Sequence, residues 1–121
     1  RPPRSTLFPY TTLFRSALRM PGSGRGQIYP HPDIIAGNGK KYLGIEVKIR
    51  AEEKCYFKDE EVEKLKEFCS TFGAIPYFAV RFVRRWRFFE VEDLEKTPSG
   101  YRASFEKGKE FSEVIGEVND R

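Results

Sequence analysis

Asp33, Glu46 and Lys48 are the residues best placed to do chemistry. They lie within PDIIAGNGKKYLGIEVK, residues 32–48, which reads as two short strands joined by a turn at Asn38-Gly39. Both positions of a tight two-residue hairpin turn need positive φ, which Asn and Gly tolerate. Glu46 and Lys48 are two apart on the second strand, so they point to one face of a sheet. Two acids and a lysine therefore gather at one end of a hairpin whose other residues, Ile34, Ile35, Leu43, Ile45 and Val47, want burial. Buried charge is costly unless it is paired or binds a metal. Converging carboxylates form a hard-oxygen site suited to Mg²⁺ or Mn²⁺. Beside it, Lys48 can hold or deprotonate a water for phosphodiester hydrolysis. The spacing D-x₁₂-E-x-K is weak by itself, since all three residue types are common; the hydrophobic strands and Pro32 strengthen it.

The surrounding chain must position this hairpin. At 121 residues it is long enough for one domain with a modest core. The net charge of +4 is unevenly spread: residues 1–32 hold five Arg and no acid, leaving 17 Lys and Arg against 18 Asp and Glu in the rest. A nucleic-acid argument must rest on local patches. Cys55 and Cys69 fit no metal spacing and read as free buried thiols of a cytoplasmic protein, although one disulfide stays open. Only two Asn and one Gln occur among many Glu, Lys and Arg, which is compatible with a heat-adapted source.

Residues 1–16 stand apart. Thr6 to Ser16, TLFPYTTLFRS, match residue for residue the in-frame translation of a widely used sequencing-adapter oligonucleotide. The expectation is a non-native assembly scar over 1–16, fused to a truncated gene, with the domain spanning 17–121. A natural arm is the alternative. Ala17 to Arg19 can end a strand. The loop MPGSGRGQIYPH after it lacks the Lys-Ser/Thr of a P-loop and no helical pattern follows, so a nucleotide site is not expected. Arg19, Ser23 and Arg25 suit DNA phosphate contacts, and a plain solvent loop is an equal alternative. His31, the one histidine, is expected to shape the approach to Asp33 rather than to bind metal.

Residues 51–57 read as a polar connection that can extend the strand. Asp59 to Phe72 read as a helix capped by Asp59, with Glu60, Glu61 and Glu63 favouring its positive end and Gly73 stopping it. Its stripe, Val62, Leu65, Phe68, Cys69 and Phe72, packs on the sheet, or turns Phe68 and Phe72 toward a second subunit. Residues 76–83 read as a buried strand, Arg84-Arg85 as a turn and Trp86 to Val91 as its antiparallel partner. The arginines at 81, 84, 85 and 87 are expected to meet solvent or phosphate, and the aromatics between them to pack in the core. Residues 92–104 read as a turn-rich connection, and Phe105 to Val118 as a helix weakened by Gly108 and Gly116. No stretch suits a membrane span.

Pro32-Asp33 with Glu46-Val47-Lys48 resembles the signature of the PD-(D/E)xK nucleases. RMPGS at 19–23, the hairpin, LKEFCSTFGAIPYFAVRF and WRFFEV together resemble the archaeal Holliday junction resolvases across roughly Ala17 to Val91, more loosely beyond. The resemblance implies an α/β fold, a central mixed β-sheet flanked by helices (restriction-endonuclease-like). It implies a homodimeric, metal-dependent endonuclease that cuts branched four-way DNA with paired nicks. Asp33, Glu46 and the Val47 carbonyl would hold metal, Lys48 would orient the attacking water, Arg19 and Ser23 would sit in a mobile junction-contacting loop, and Phe68 and Phe72 would face the partner subunit. The chain departs from the family in one respect. A glutamate on an N-terminal helix completes the family's site, yet the first acid here is Asp33. The expectation is that the first helix is missing, one sheet face is uncovered, and the chain is weakly active and less stable. Another nuclease of the superfamily and a non-catalytic junction-binding dimer are the alternatives.

Overall fold

Alternating apolar residues over Tyr42–Arg50 and a continuous apolar run over Ile75–Phe82 make the central strands, and the chain's β-branched and aromatic content favours them. The computed structural model describes residues 16–19 and 31–120. The main sheet runs β1-β2-β3-β5-β6, where β1 is Ser16–Arg19, β2 Ile34–Gly37, β3 Tyr42–Arg50, β5 Ile75–Phe82 and β6 Arg85–Phe89. β3 and β5 are parallel and the other pairs antiparallel, so the sheet is mixed. The parallel crossover is carried by β4 (Lys54–Lys58) and helix α1 (Asp59–Phe72). A second sheet, ordered β4-β8-β7, adds β7 (Glu95–Thr97) and β8 (Gly100–Ser104), and helix α2 (Phe111–Asp120) ends the fold. The expected α/β class with a central mixed sheet and flanking helices is what the chain adopts.

Each sheet face has its own core. On one face Ile34, Ala36, Leu43, Ile45, Tyr77, Ala79 and Phe88 cluster with Val114 and Val118 of α2. On the other, Phe78, Val80, Phe82 and Phe89 meet Val62, Leu65 and Cys69 of α1, and Cys55, Phe57 and Ala103 of the second sheet. The expectation of an uncovered face is not met: Ile34, Leu43, Ile45 and Tyr77 are all 1% exposed or less. Lys109 fastens α2 to this body, with Nζ 3.2 Å from Glu90, 2.9 Å from Asp93 and 3.3 Å from Glu117.

Several local expectations are corrected. The hairpin loop spans four residues, 38–41, not two; only Gly39 has positive φ, at 93°. Asn38 acts instead through its side chain, whose Oδ1 accepts the N–H groups of Lys40 (2.9 Å) and Lys41 (2.8 Å), as Asx turns do. Lys58, not Asp59, is the N-cap of α1, and its N–H donates to Glu61 Oε1 at 2.9 Å. Gly73 ends that helix at φ 89°, as expected. The β5–β6 turn falls at Val83-Arg84, one residue early, with Val83 held at φ 55° and its N–H bonded to the Arg50 carbonyl. Residues 54–58, 95–97 and 100–104 are strands, not connections: β4 finds β8 far away in sequence, and β7 pairs with β8 across a two-residue turn. The last helix starts at Phe111: a Cβ at Gly108 would lie 2.6 Å from Arg87 Cβ, so the chain there passes flat against β6.

The aromatics of β6 pack as expected, with Phe88 and Phe89 buried and Trp86 partly so. Their arginines are only half as anticipated. Arg84 and Arg85 are exposed as expected, whereas Arg87 is largely covered, and both Arg85 and Arg87 lie over the Phe105 ring and pair with Glu110. Both cysteines are free and buried.

Candidate active site

The β2–β3 register decides the site. Ile34 pairs with Ile45 at the end of the ladder, so Asp33, the residue before β2, comes beside Glu46 and Val47. A spacing that looks arbitrary in sequence is thus a meeting across a hairpin closed by a four-residue loop. Asp33 is locked in place, because its Oδ2 accepts the Val47 N–H at 2.9 Å. In return, the Asp33 backbone N–H serves the Glu46 carboxylate.

Glu46 and Lys48 stand in register with Phe78 and Val80 of β5, so they share the face that carries the α1 core. Val47 turns the other way and packs against the opposite core. Burial, the neighbouring Asp33 and then Glu61 push the Glu46 carboxyl up to about 7, against the lowering effect of Lys48. Lys48 crosses to α1, where Nζ lies 2.9 Å from Glu61 Oε2, and it stands 5.7 Å from the centre of the Phe57 ring. Burial opposes the charged form of Glu61. The hydrogen bonds from Lys48 and the Lys58 N–H outweigh it and hold this carboxyl below its ordinary range.

Glu61 is the site residue that sequence reasoning missed. Its place near the start of a helix explains itself through the helix dipole, and no local signal ties it to Lys48, thirteen residues back. Only the packing of α1 on β3 shows the second role. That packing has its own sequence mark in Gly44: a Cβ there would sit 2.5 Å from Cys69 Sγ.

The remaining expected residues are dispersed. Arg19 ends β1, paired with Ile34, and so adjoins the Asp33 end of the hairpin through its backbone. Ser23 and Arg25 lie outside the described residues. His31 directs Nδ1 to the Pro32 carbonyl at 3.0 Å, in keeping with a shaping role. Phe68 and Phe72 lie toward the far end of α1 from Glu61, stacked with centroids 5.4 Å apart. Tyr42, at the opposite end of β3 from Lys48, meets Phe72 edge-on at 6.1 Å. Phe72 and Tyr42 are 49% and 47% exposed, which makes an aromatic patch away from the carboxylates. Among the described residues, no group of three or more His, Cys, Asp or Glu is placed to hold a metal ion.

A family model described as archaeal Holliday junction resolvase (Hjc) matches residues 15–121. The chain belongs to the archaeal Holliday junction resolvase family. Within that family it is 44% identical over 105 residues to the crossover junction endodeoxyribonuclease Hjc of Archaeoglobus fulgidus, covering 84% of this chain and 76% of that protein. It is 30% identical over 111 residues to the protein of the same name from Sulfurisphaera tokodaii, covering 88% and 77%. The solved structure of A. fulgidus Hjc, described as a Holliday junction resolvase from an archaeal hyperthermophile, superposes with a TM-score of 0.81 at 42% identity, over 89% of each chain. The resolvase-family match begins one residue before β1, so β1 lies inside it.

Proposed function

We propose that this chain is a structure-selective endonuclease that hydrolyses phosphodiester bonds in four-way DNA junctions, acting as a homodimer with Mg²⁺ or, alternatively, Mn²⁺. The observation that carries this reading is the convergence of Asp33 and Glu46 beside Lys48 at the end of the β2–β3 ladder, in a member of the archaeal Holliday junction resolvase family. The relatives' names, crossover junction endodeoxyribonuclease, supply the substrate class.

The donor set fits a hard divalent cation. Two carboxylates meet at a partly desolvated strand end, and one is driven toward its neutral form by that arrangement. Oxygen-only donors with a strong local demand for positive charge suit Mg²⁺ and Mn²⁺. Asp33, Glu46 and the Val47 carbonyl would hold the ion. When bound, the metal supplies a water of lowered pKa and neutralises charge developing on the phosphate. Lys48 brings a cation to the same face and orients the attacking water, and Glu61 fixes where its ammonium rests. Asp33 is preset by its bond to Val47, so one ligand is oriented before any ion arrives. Arg19, Ser23 and Arg25 would meet the phosphates of the junction.

The dimer reading rests on the patch of Tyr42, Phe68 and Phe72. Partly exposed stacked aromatics at the end of a helix are costly to leave in water and are common interface anchors. Tyr42 extends the two-phenylalanine surface expected from the sequence.

The decisive experiment offers four-way, flap and linear duplex DNA to the protein with and without Mg²⁺. Selective paired nicking of the four-way substrate is the expected result, at a low rate because no acid precedes Asp33 to complete the site. Glu46→Ala abolishes cutting and leaves junction binding largely intact. Equal cleavage of all three substrates would instead assign a different nuclease of the superfamily, and binding without cleavage a non-catalytic junction binder.

A further inference from the structure

The second sheet plays no part in the catalytic site beyond the Phe57 ring, yet it presents a feature that its core does not explain. β4 alternates strictly: Cys55 and Phe57 are buried, while Lys54, Tyr56 and Lys58 point outward and are exposed. Tyr56 is 57% exposed, although Cys55 and Phe57 on either side are 0% and 3% exposed. The row is held rigid, because β4 pairs with β8 along its whole length, from Lys54–Ser104 to Lys58–Gly100. Alternate residues on a strand lie about 6.7 Å apart, a step on the scale of neighbouring phosphates in a nucleic-acid strand.

This row is continuous with the site. Lys48, Arg50, Tyr56 and Lys58 line one open groove of roughly 1030 Å³. The acids in that groove are largely answered already, Glu61 by Lys48 and Asp59 by Lys96. Arg102, the cross-strand neighbour of Tyr56, is held by Glu95. Among the described residues, Arg50, Lys54 and Lys58 form no ion pair within 4 Å, so their charges face the solvent around the groove.

We propose that the outer face of β4 is a track for the DNA backbone leading away from the catalytic pair, with Lys54 and Lys58, four residues and so about 13 Å apart, on phosphates two steps apart and Tyr56 packed against the backbone between them. The proposal rests on the junction-nuclease reading above and deepens it. It names where one arm runs, on a sheet that the catalytic residues do not include. Lysines on an edge strand can also serve only to prevent edge-to-edge pairing. That role needs no exposed tyrosine between them, and it predicts aggregation on their removal rather than a change in DNA affinity.

The two roles separate in a salt titration. Binding of a four-way junction is measured by fluorescence anisotropy in chelator, between about 50 and 200 mM salt. For the variant Lys54→Gln/Lys58→Gln, the slope of log K against log salt is expected to flatten by about 0.9 per lysine, about 1.8 in all. Lys54→Arg/Lys58→Arg keeps the wild-type slope, and Tyr56→Ser weakens binding without changing it. Thermal unfolding of each variant establishes that it is folded. A glutamine pair that binds with the wild-type slope, or that aggregates while the arginine pair shows a flattened slope, overturns the track. If the wild-type protein binds no four-way DNA, the nuclease reading falls and the track with it.

Discussion

Removing the charge of Glu46 should make the metal-free protein more stable at neutral pH and leave it nearly unchanged in mild acid. Burial, with Asp33 and Glu61 near, raises this carboxyl from 4.5 to about 7 in the folded chain. In the unfolded chain it titrates near its ordinary value. Between these two values the folded state binds the extra proton, so stability is full below about 4.5 and falls as pH rises toward 7. The rise from 4.5 to about 7, at about 1.4 kcal/mol per pH unit, sets a ceiling of about 3.5 kcal/mol. Glu46→Gln keeps the shape and much of the hydrogen bonding but cannot ionise. In urea denaturation with chelator, wild type and variant should have similar midpoints at pH 4.5. By pH 8 the variant should lead by up to roughly 1–3 M, taking a slope of about 1–3 kcal/mol/M for a small domain. Other carboxylates titrate in both proteins, so the difference isolates Glu46. A wild-type-to-variant gap that is the same at both pH values would refute the argument that the neighbouring carboxylates are electrostatically strained. Saturating Mg²⁺ at pH 8 should then raise the wild-type midpoint and leave that of Glu46→Gln much less changed, because binding to the folded state stabilises it.

Other outcomes follow from the packing. Gly44→Ala forces a Cβ to within 2.5 Å of Cys69 Sγ and should destabilise by about 1–3 kcal/mol; in Cys69→Ala background the loss should shrink, as a double-mutant thermal-unfolding cycle would show. Glu61→Gln keeps an acceptor for the Lys58 N–H but loses the charge facing Lys48; the partly exposed pair should cost under about 1 kcal/mol of stability, while the single-turnover cleavage rate falls by clearly more than that stability loss accounts for. Phe72→Glu should shift sedimentation toward monomer, through loss of the Tyr42–Phe72–Phe68 contacts. Burial pushes the Cys69 thiol up to about 11 and raises Cys55 as well, so neither should react with a thiol reagent at pH 8 until urea unfolds the chain, when both should.

Asp33, Glu46 and Lys48 could be named as candidates without coordinates, and the elements that obey a local period were legible as well. Glu46 and Lys48 sit two apart on a strand whose alternation is plain. Helix α1 ran over the expected residues because its apolar stripe and Gly73 are local signals. The buried β5 and its antiparallel partner were equally visible in their apolar runs. What local pattern could not carry was any pairing across distance. β4, β7 and β8 are short and half polar, and they become strands only because each satisfies the others' backbone groups, so their residues read as connections. The hairpin's loop length also needed the fold: Asn-Gly suggests a two-residue turn, but the side chain of Asn38 spans a four-residue one.

For the site itself, the chain's order of residue types named Asp33, Glu46 and Lys48 as candidates. Tertiary structure decided that Asp33 meets Glu46 at the end of the β2–β3 ladder, that Val47 locks Asp33, and that Glu61 receives Lys48 from a helix thirteen residues away. The physical reason is the same in each case. Residue type and period are properties of the segment, whereas the field at a carboxylate depends on which segments the core brings against it.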